Sequence, residues 1–170
     1  MTDSKRHEYI DRGTVIKEPH TAVHQTLLTA VYRDFAVFLT GKPYTVSIDP
    51  LEVHLFHNNG KFGTVIVQPD LLVLCGKRKR TNGKVNGSPD LIVEIVPSPN
   101  YGTIYRKYCI YLEAKVREFW VIDPPQKNAC TFVYKDGYYT QTLYKHNDRI
   151  RSAIFDGLEV SLETLWDTQG

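Results

Sequence analysis

Two short apolar runs constrain the fold more than any other feature of the chain. PDLLVLC (69–75) and PDLIVEIV (89–96) are each entered through Pro-Asp, and each is apolar at consecutive positions. A strand with one face in water alternates polar and apolar residues. A run that is apolar on both sides needs cover on both faces. Both runs therefore read as central strands of a covered sheet. The second run is broken once, by Glu94 in its middle. A carboxylate buried without a partner is costly, so Glu94 either has a basic neighbour or points into a cleft that takes a cation. Alternation puts Asp90, Ile92, Glu94 and Val96 on one face of their strand. If the two runs are neighbours, Asp70 and Glu94 converge at one end of the sheet.

The rest of the chain supplies the cover. EYIDRGTVIKEP (8–19) reads as a hairpin turning at Asp11, Arg12 and Gly13. Residues 20–41 carry Val23, Leu27, Ala30, Val31, Phe35 and Phe38 at three- and four-residue steps, which predicts a helix stopped by Gly41 and Pro43. Residues 44–56 read as a strand bent at Asp49-Pro50, and 57–63 as a turn. Residues 64–75 read as one strand with a bulge or entry at Gln68-Pro69, because proline has no ladder donor. A polar, glycine-rich loop (76–87) leads to the Glu94 strand. Residues 101–118 predict a second helix, with Ile104, Tyr108, Tyr111 and Leu112 on its inner face. A strand at 118–125, a hairpin at 129–145 over Lys135-Asp136-Gly137, and one short strand with a closing helical turn at 149–166 complete the chain. This order predicts a single α/β domain over 1–170, with a central mixed sheet flanked by helices and hairpin extensions at both ends.

Bulk properties exclude some partners. A net charge of +2 gives no global signal for nucleic acid, so any such signal has to be local. The one basic run, Lys77-Arg78-Lys79-Arg80, suits a solvated loop or contacts to phosphates. No apolar run approaches the length of a membrane span, and the first residues have no apolar core of a signal peptide. Cys75, Cys109 and Cys130 are odd in number and widely spaced, which suits reduced thiols and a cytoplasmic protein.

Two convergent carboxylates suit Mg²⁺, a hard ion that takes one or two carboxylates and completes its shell with waters and phosphate oxygens. Lys107, on the helix after the Glu94 strand, is within topological reach of that pair. The same acids also have structural readings. Asp70 and Asp90 each follow a proline and suit turns, and Glu94 suits an ion pair with Arg106 or Lys107.

Taken together, PDLLVLC, PDLIVEIVPS, KYCIY and REFWVIDP resemble the Uma family of putative restriction endonucleases, within the PD-(D/E)XK nuclease-like superfamily. PHTAVHQTLLTAV resembles the family's leading helix and FDGLEVSLETLW its closing segment, so the resemblance spans nearly the whole chain. It implies a restriction-endonuclease-like fold and Mg²⁺-dependent (or Mn²⁺-dependent) hydrolysis of DNA. It implies metal binding by Asp70 and Glu94, and a catalytic Lys107. Tyr111, His24 and Asp90 would then be supporting or edge residues. The superfamily's strand lysine falls on Val96, and the helix lysine near a tyrosine, Lys107 with Tyr111, looks like its substitute. Two other departures are Pro97-Ser98-Pro99, where members show Ser-Pro-Ser, and Thr103, in the region of a frequent aspartate. A homodimer is a family-level expectation. A catalytically inactive module on the same fold, for nucleic-acid binding or protein assembly, stays open as the alternative, as does an interaction protein whose acids are salt-bridged. The tyrosines at 101, 105, 108 and 111 suit packing of the helix on its sheet or stacking of bases. His54 and His57 read as surface residues and Trp120 as core.

Overall fold

A computed structural model of the chain describes residues 6–10, 13–17, 21–48, 50–56, 64–76, 80–81, 83–96 and 101–168. In chain order the elements are β1 (Arg6–Ile10), β2 (Gly13–Lys17), α1 (Ala22–Leu39), β3 (Tyr44–Ile48), β4 (Val53–Phe56), β5 (Thr64–Val67), β6 (Leu71–Cys75), β7 (Arg80–Thr81), β8 (Lys84–Asn86) and β9 (Leu91–Ile95). They continue with α2 (Tyr101–Glu113), β10 (Glu118–Asp123), β11 (Asn128–Lys135), β12 (Tyr138–Tyr144), β13 (Arg149–Arg151), β14 (Glu159–Ser161) and α3 (Leu162–Asp167).

The central sheet has the order β12-β11-β10-β9-β6-β3. It is mixed: β9 and β10 run parallel and the other pairs antiparallel. The β9–β10 connection contains α2, as a parallel pair requires. The two runs that opened the sequence reading are β6 and β9, and they are neighbours in the middle of this sheet.

The sheet is covered on both faces, as the doubly apolar strands demand. On one side Leu71, Val73, Leu91, Val93 and Ile122 pack with Leu27, Val31 and Phe35 of α1. Trp120 meets Phe35 edge-on at 5.2 Å between ring centroids. On the other side Leu72, Leu74, Ile92 and Phe119 pack with Ile110 and Tyr111 of α2. Val53, Leu55, Val65, Val67 and Val85 close this second core from a second sheet, ordered β2-β1-β5-β4-β8-β7.

That second sheet corrects the sequence reading. Residues 44–56 and 64–75 are each read above as one interrupted strand. Each is instead two strands in two different sheets: β3 and β6 belong to the central one, β4 and β5 to the other. Pro69 explains the second break, since without an N–H it cannot continue a ladder. The segment read as loop at 76–87 holds the short hairpin β7–β8, and the single strand expected at 149–166 is the hairpin β13–β14. The hairpin expected at 8–19 is β1–β2. Its Asp11-Arg12, the Asp49 bend, the 57–63 turn, Pro97-Ser98-Pro99 and Lys77-Arg78-Lys79 lie outside the described residues.

Helix ends follow local chemistry. The side chain of Thr21 accepts from the His24 N–H at 3.1 Å and caps α1. Helix α2 stops earlier than expected, at Glu113. There Lys115 takes a left-handed conformation (φ 55°). The N–H of Val116 then bonds to the Tyr111 carbonyl, and that of Lys115 to the Leu112 carbonyl.

Candidate active site

The antiparallel register of β6 and β9 pairs Leu71 with Val93, Leu72 with Ile92 and Val73 with Leu91. One residue further along, Asp70 comes opposite Glu94. The carboxylate of Asp70 is tied to β9: its Oδ2 accepts from the N–H of Ile95 at 2.8 Å. The same oxygen lies 3.1 Å from His24 Nε2. The capped first turn of α1 presents that ring.

Glu94 points toward α2. Its Oε1 accepts from Lys107 Nζ at 2.9 Å and from the Tyr111 hydroxyl at 2.7 Å. Lys107 and Tyr111 are four residues apart on one helix, so both reach the same place. The Lys107 ammonium touches a second carboxylate, Glu8 of β1, again at 2.9 Å. Glu8 Oε1 also accepts from the backbone N–H of Gln68, in the link between β5 and β6. Glu8, His24, Asp70, Glu94, Lys107 and Tyr111 are all buried.

Five of these six are named from sequence. The sixth, Glu8, is not: Glu94 is marked because it interrupts an apolar run, whereas Glu8 directly follows Arg6 and His7. In β1, Glu8 and Ile10 are buried while His7 and Tyr9 face out, so Glu8 is an acid on the inward face of a short strand. Its partners were hidden because they lie far along the chain.

Asp90 is a correction. It stands at the other end of β9, four residues from Glu94, which is roughly 13 Å along a strand. Its Oδ2 accepts from the Cys75 N–H at 2.7 Å and its Oδ1 is 3.4 Å from Arg117. Sharing a face is not sharing a site when the strand is five residues long. The inner face of α2 also differs from expectation, since Lys107 is buried there among apolar residues. Arg106 is exposed. His54 is half-buried and lies 3.2 Å from Glu52, and His57 is outside the described residues. Tyr108 packs against Phe132 and Tyr139, whereas Tyr105 is exposed.

Burial is the largest single influence on Lys107, and it favours the neutral amine. The attraction of Glu94, Glu8 and Asp70 together outweighs it and holds the ammonium charged well above the ordinary lysine range. Burial, Glu94 and Glu8 likewise push the Tyr111 hydroxyl well above its usual value, so it stays a donor to Glu94. Both folded values lie above the unfolded ones. Their contribution is therefore complete below the unfolded values, about 10 for both groups, and is lost as pH rises through the folded values. Urea unfolding from pH 7 to 11 is expected to show a flat stability that falls above about pH 10. Tyr111→Phe is expected to make that alkaline fall shallower.

Among the described residues, no three His, Cys, Asp or Glu side chains converge closely enough to hold a metal ion by themselves. The Lys107 ammonium stands between Glu8 and Glu94. The donor chemistry nevertheless fits Mg²⁺, which needs only one or two carboxylates. Asp70 and Glu94 lie on adjacent strands, and Ile95, next to Glu94, donates its N–H to Asp70.

Residues 1–163 match Uma2, described as "Putative restriction endonuclease". The chain belongs to the Uma2 family. Among solved structures it is similar to the crystal structure of a putative nuclease belonging to DUF820 from Anabaena variabilis. The TM-score is 0.76 at 17% identity, over 95% of this chain and 90% of that chain. At that identity the likeness is one of fold, and it agrees with the restriction-endonuclease-like architecture expected from the sequence. Nothing matches among the curated proteins. In this Uma2 chain no described helix is long and apolar enough to cross a membrane. Cys75, Cys109 and Cys130 are free thiols.

Proposed function

We propose that this Uma2 protein is a Mg²⁺-dependent endonuclease that hydrolyses DNA phosphodiester bonds in the cytoplasm. The observation that carries the reading is the convergence of Asp70, Glu94 and Lys107 at one end of β6 and β9. Family membership supports it. Asp70 and Glu94 are the residues that would hold the ion, with Mn²⁺ as a substitute. Such an ion supplies positive charge beside the phosphoryl oxygens and makes water a better nucleophile.

The chain's own residues set up the rest. Ile95 N–H and His24 fix the orientation of Asp70, and Tyr111 fixes that of Glu94. Lys107 brings a permanent positive charge to the same end of the sheet, where negative charge grows on a phosphate under attack. A helix lysine serves where a strand lysine would, because only the ammonium position matters.

One observation favours a second reading, a catalytically inactive module for protein assembly whose acids are salt-bridged. Lys107 is buried and already engaged by two carboxylates. Calorimetry with Mg²⁺ or Mn²⁺ and a plasmid-cleavage assay separate the readings. The wild type is expected to bind metal and nick DNA. Asp70→Asn and Glu94→Gln are expected to lose metal binding and to cut more slowly by about 10²-fold or more. A folded wild type that binds no metal, even with DNA present, would overturn the nuclease reading.

A further inference from the structure

Strand β12 is an edge of the central sheet. At seven residues it is the longest edge strand in the two large sheets: β3 and β2 have five residues each and β7 has two. Exposed edges are ordinarily blunted by charge, proline or a bulge, because their unpaired backbone groups invite another strand. Strand β12, YYTQTLY, contains no charged residue and no proline, and its pairing with β11 is unbroken from Tyr138 to Tyr144. It also carries two exposed large apolar side chains, Tyr138 at 56% and Leu143 at 59%.

We infer that β12 is the surface on which a second copy of this chain pairs, antiparallel, about a two-fold axis at Gln141. A two-fold axis perpendicular to a sheet must pass between a residue and its own copy. With Gln141 on the axis, Thr140 faces Thr142, Tyr139 faces Leu143 and Tyr138 faces Tyr144. Each exposed apolar side chain thus gains an aromatic cross-strand neighbour, and no like charges meet. At the ends, Asp136 in the turn before β12 comes near Lys145 and His146 after it in the other copy, which is charge-complementary. The two central sheets become one continuous sheet with both α2 helices on the same side. This inference is independent of the cleavage reading.

Sedimentation velocity across a micromolar concentration series tests association, and hydrogen exchange at the two extremes locates it. The wild type is expected to dimerise, with β12 amides gaining protection as concentration rises. Gln141→Lys places two ammonium groups against each other at the axis, and Leu143→Lys removes an apolar contact. Each is expected to raise the dimer dissociation constant about tenfold or more, with circular dichroism unchanged because both positions are exposed. A wild type that stays monomeric throughout would overturn the inference. So would a dimer in which β12 exchange is unchanged, or one that both variants form as well as the wild type.

Discussion

Lys107→Ala is expected to lower the free energy of unfolding by about 3–5 kcal/mol, the usual cost of removing one partner from a buried ion pair. The native chain places a single ammonium 2.9 Å from both Glu8 and Glu94. Without it, two buried carboxylates face one another with nothing between them. The folded variant then gains by taking up a proton that the wild type has no need of. Its deficit relative to the wild type is therefore expected to shrink as pH falls from 8 to 5, which a simple loss of packing would not produce. Urea unfolding at the two pH values measures this directly. Under the nuclease reading, cleavage by the folded variant falls on the order of 10²–10³-fold. An equal deficit at both pH values would mean that the carboxylates are not left in mutual contact.

Glu118→Ala is expected to destabilise the chain by a similar amount, about 3–5 kcal/mol, for a different reason. Glu118 opens β10 and is fully buried. Its carboxylate accepts from Trp120 Nε1 at 2.6 Å, Ser152 Oγ at 2.7 Å, Ala153 N at 3.1 Å and Ile154 N at 3.2 Å. These bonds pin the segment after β13 to the central sheet. Truncation leaves the buried Trp120 N–H and the part-buried donors of Ser152, Ala153 and Ile154 without this acceptor, and a buried donor costs about 1–3 kcal/mol when unmade. Glu118→Gln keeps the shape but turns an NH₂ toward other donors, so it too is expected to lose stability. Thermal unfolding reads both, with shifts of roughly 10 °C for a chain of this size. Hydrogen exchange should show the loss concentrated in β13, β14 and α3. A Gln variant as stable as the wild type would remove the carboxylate from this account.

The comparison of sequence with structure turns on range. Helix α1 was legible because its apolar positions and its stop at Gly41 and Pro43 are all local. β6 and β9 were legible because a run apolar on both sides has few other homes. The division of 44–56 and 64–75 between two sheets was not legible, since a break at proline says that a ladder stops and not where the chain goes next. Asp90 was placed at the edge of Glu94's site because alternation reports the face of a strand and is silent about its end.

The sequence determined the two doubly apolar runs, the helices that cover them and, together with its resemblance to the Uma family, five of the six residues gathered at the end of β6 and β9. The elements follow from period and apolar content, and Glu94 from a carboxylate where burial makes it costly; the places of Lys107, Tyr111 and His24 follow from the resemblance to the Uma family. Only the tertiary structure decided that Glu8 joins Glu94 on Lys107, that Asp90 serves a backbone N–H at the opposite end, and that Glu118 holds the C-terminal elements in place. The physical reason is common to all three. A buried charge is defined by its partner, and strand pairing brings that partner from a distant part of the chain, where no local pattern records it.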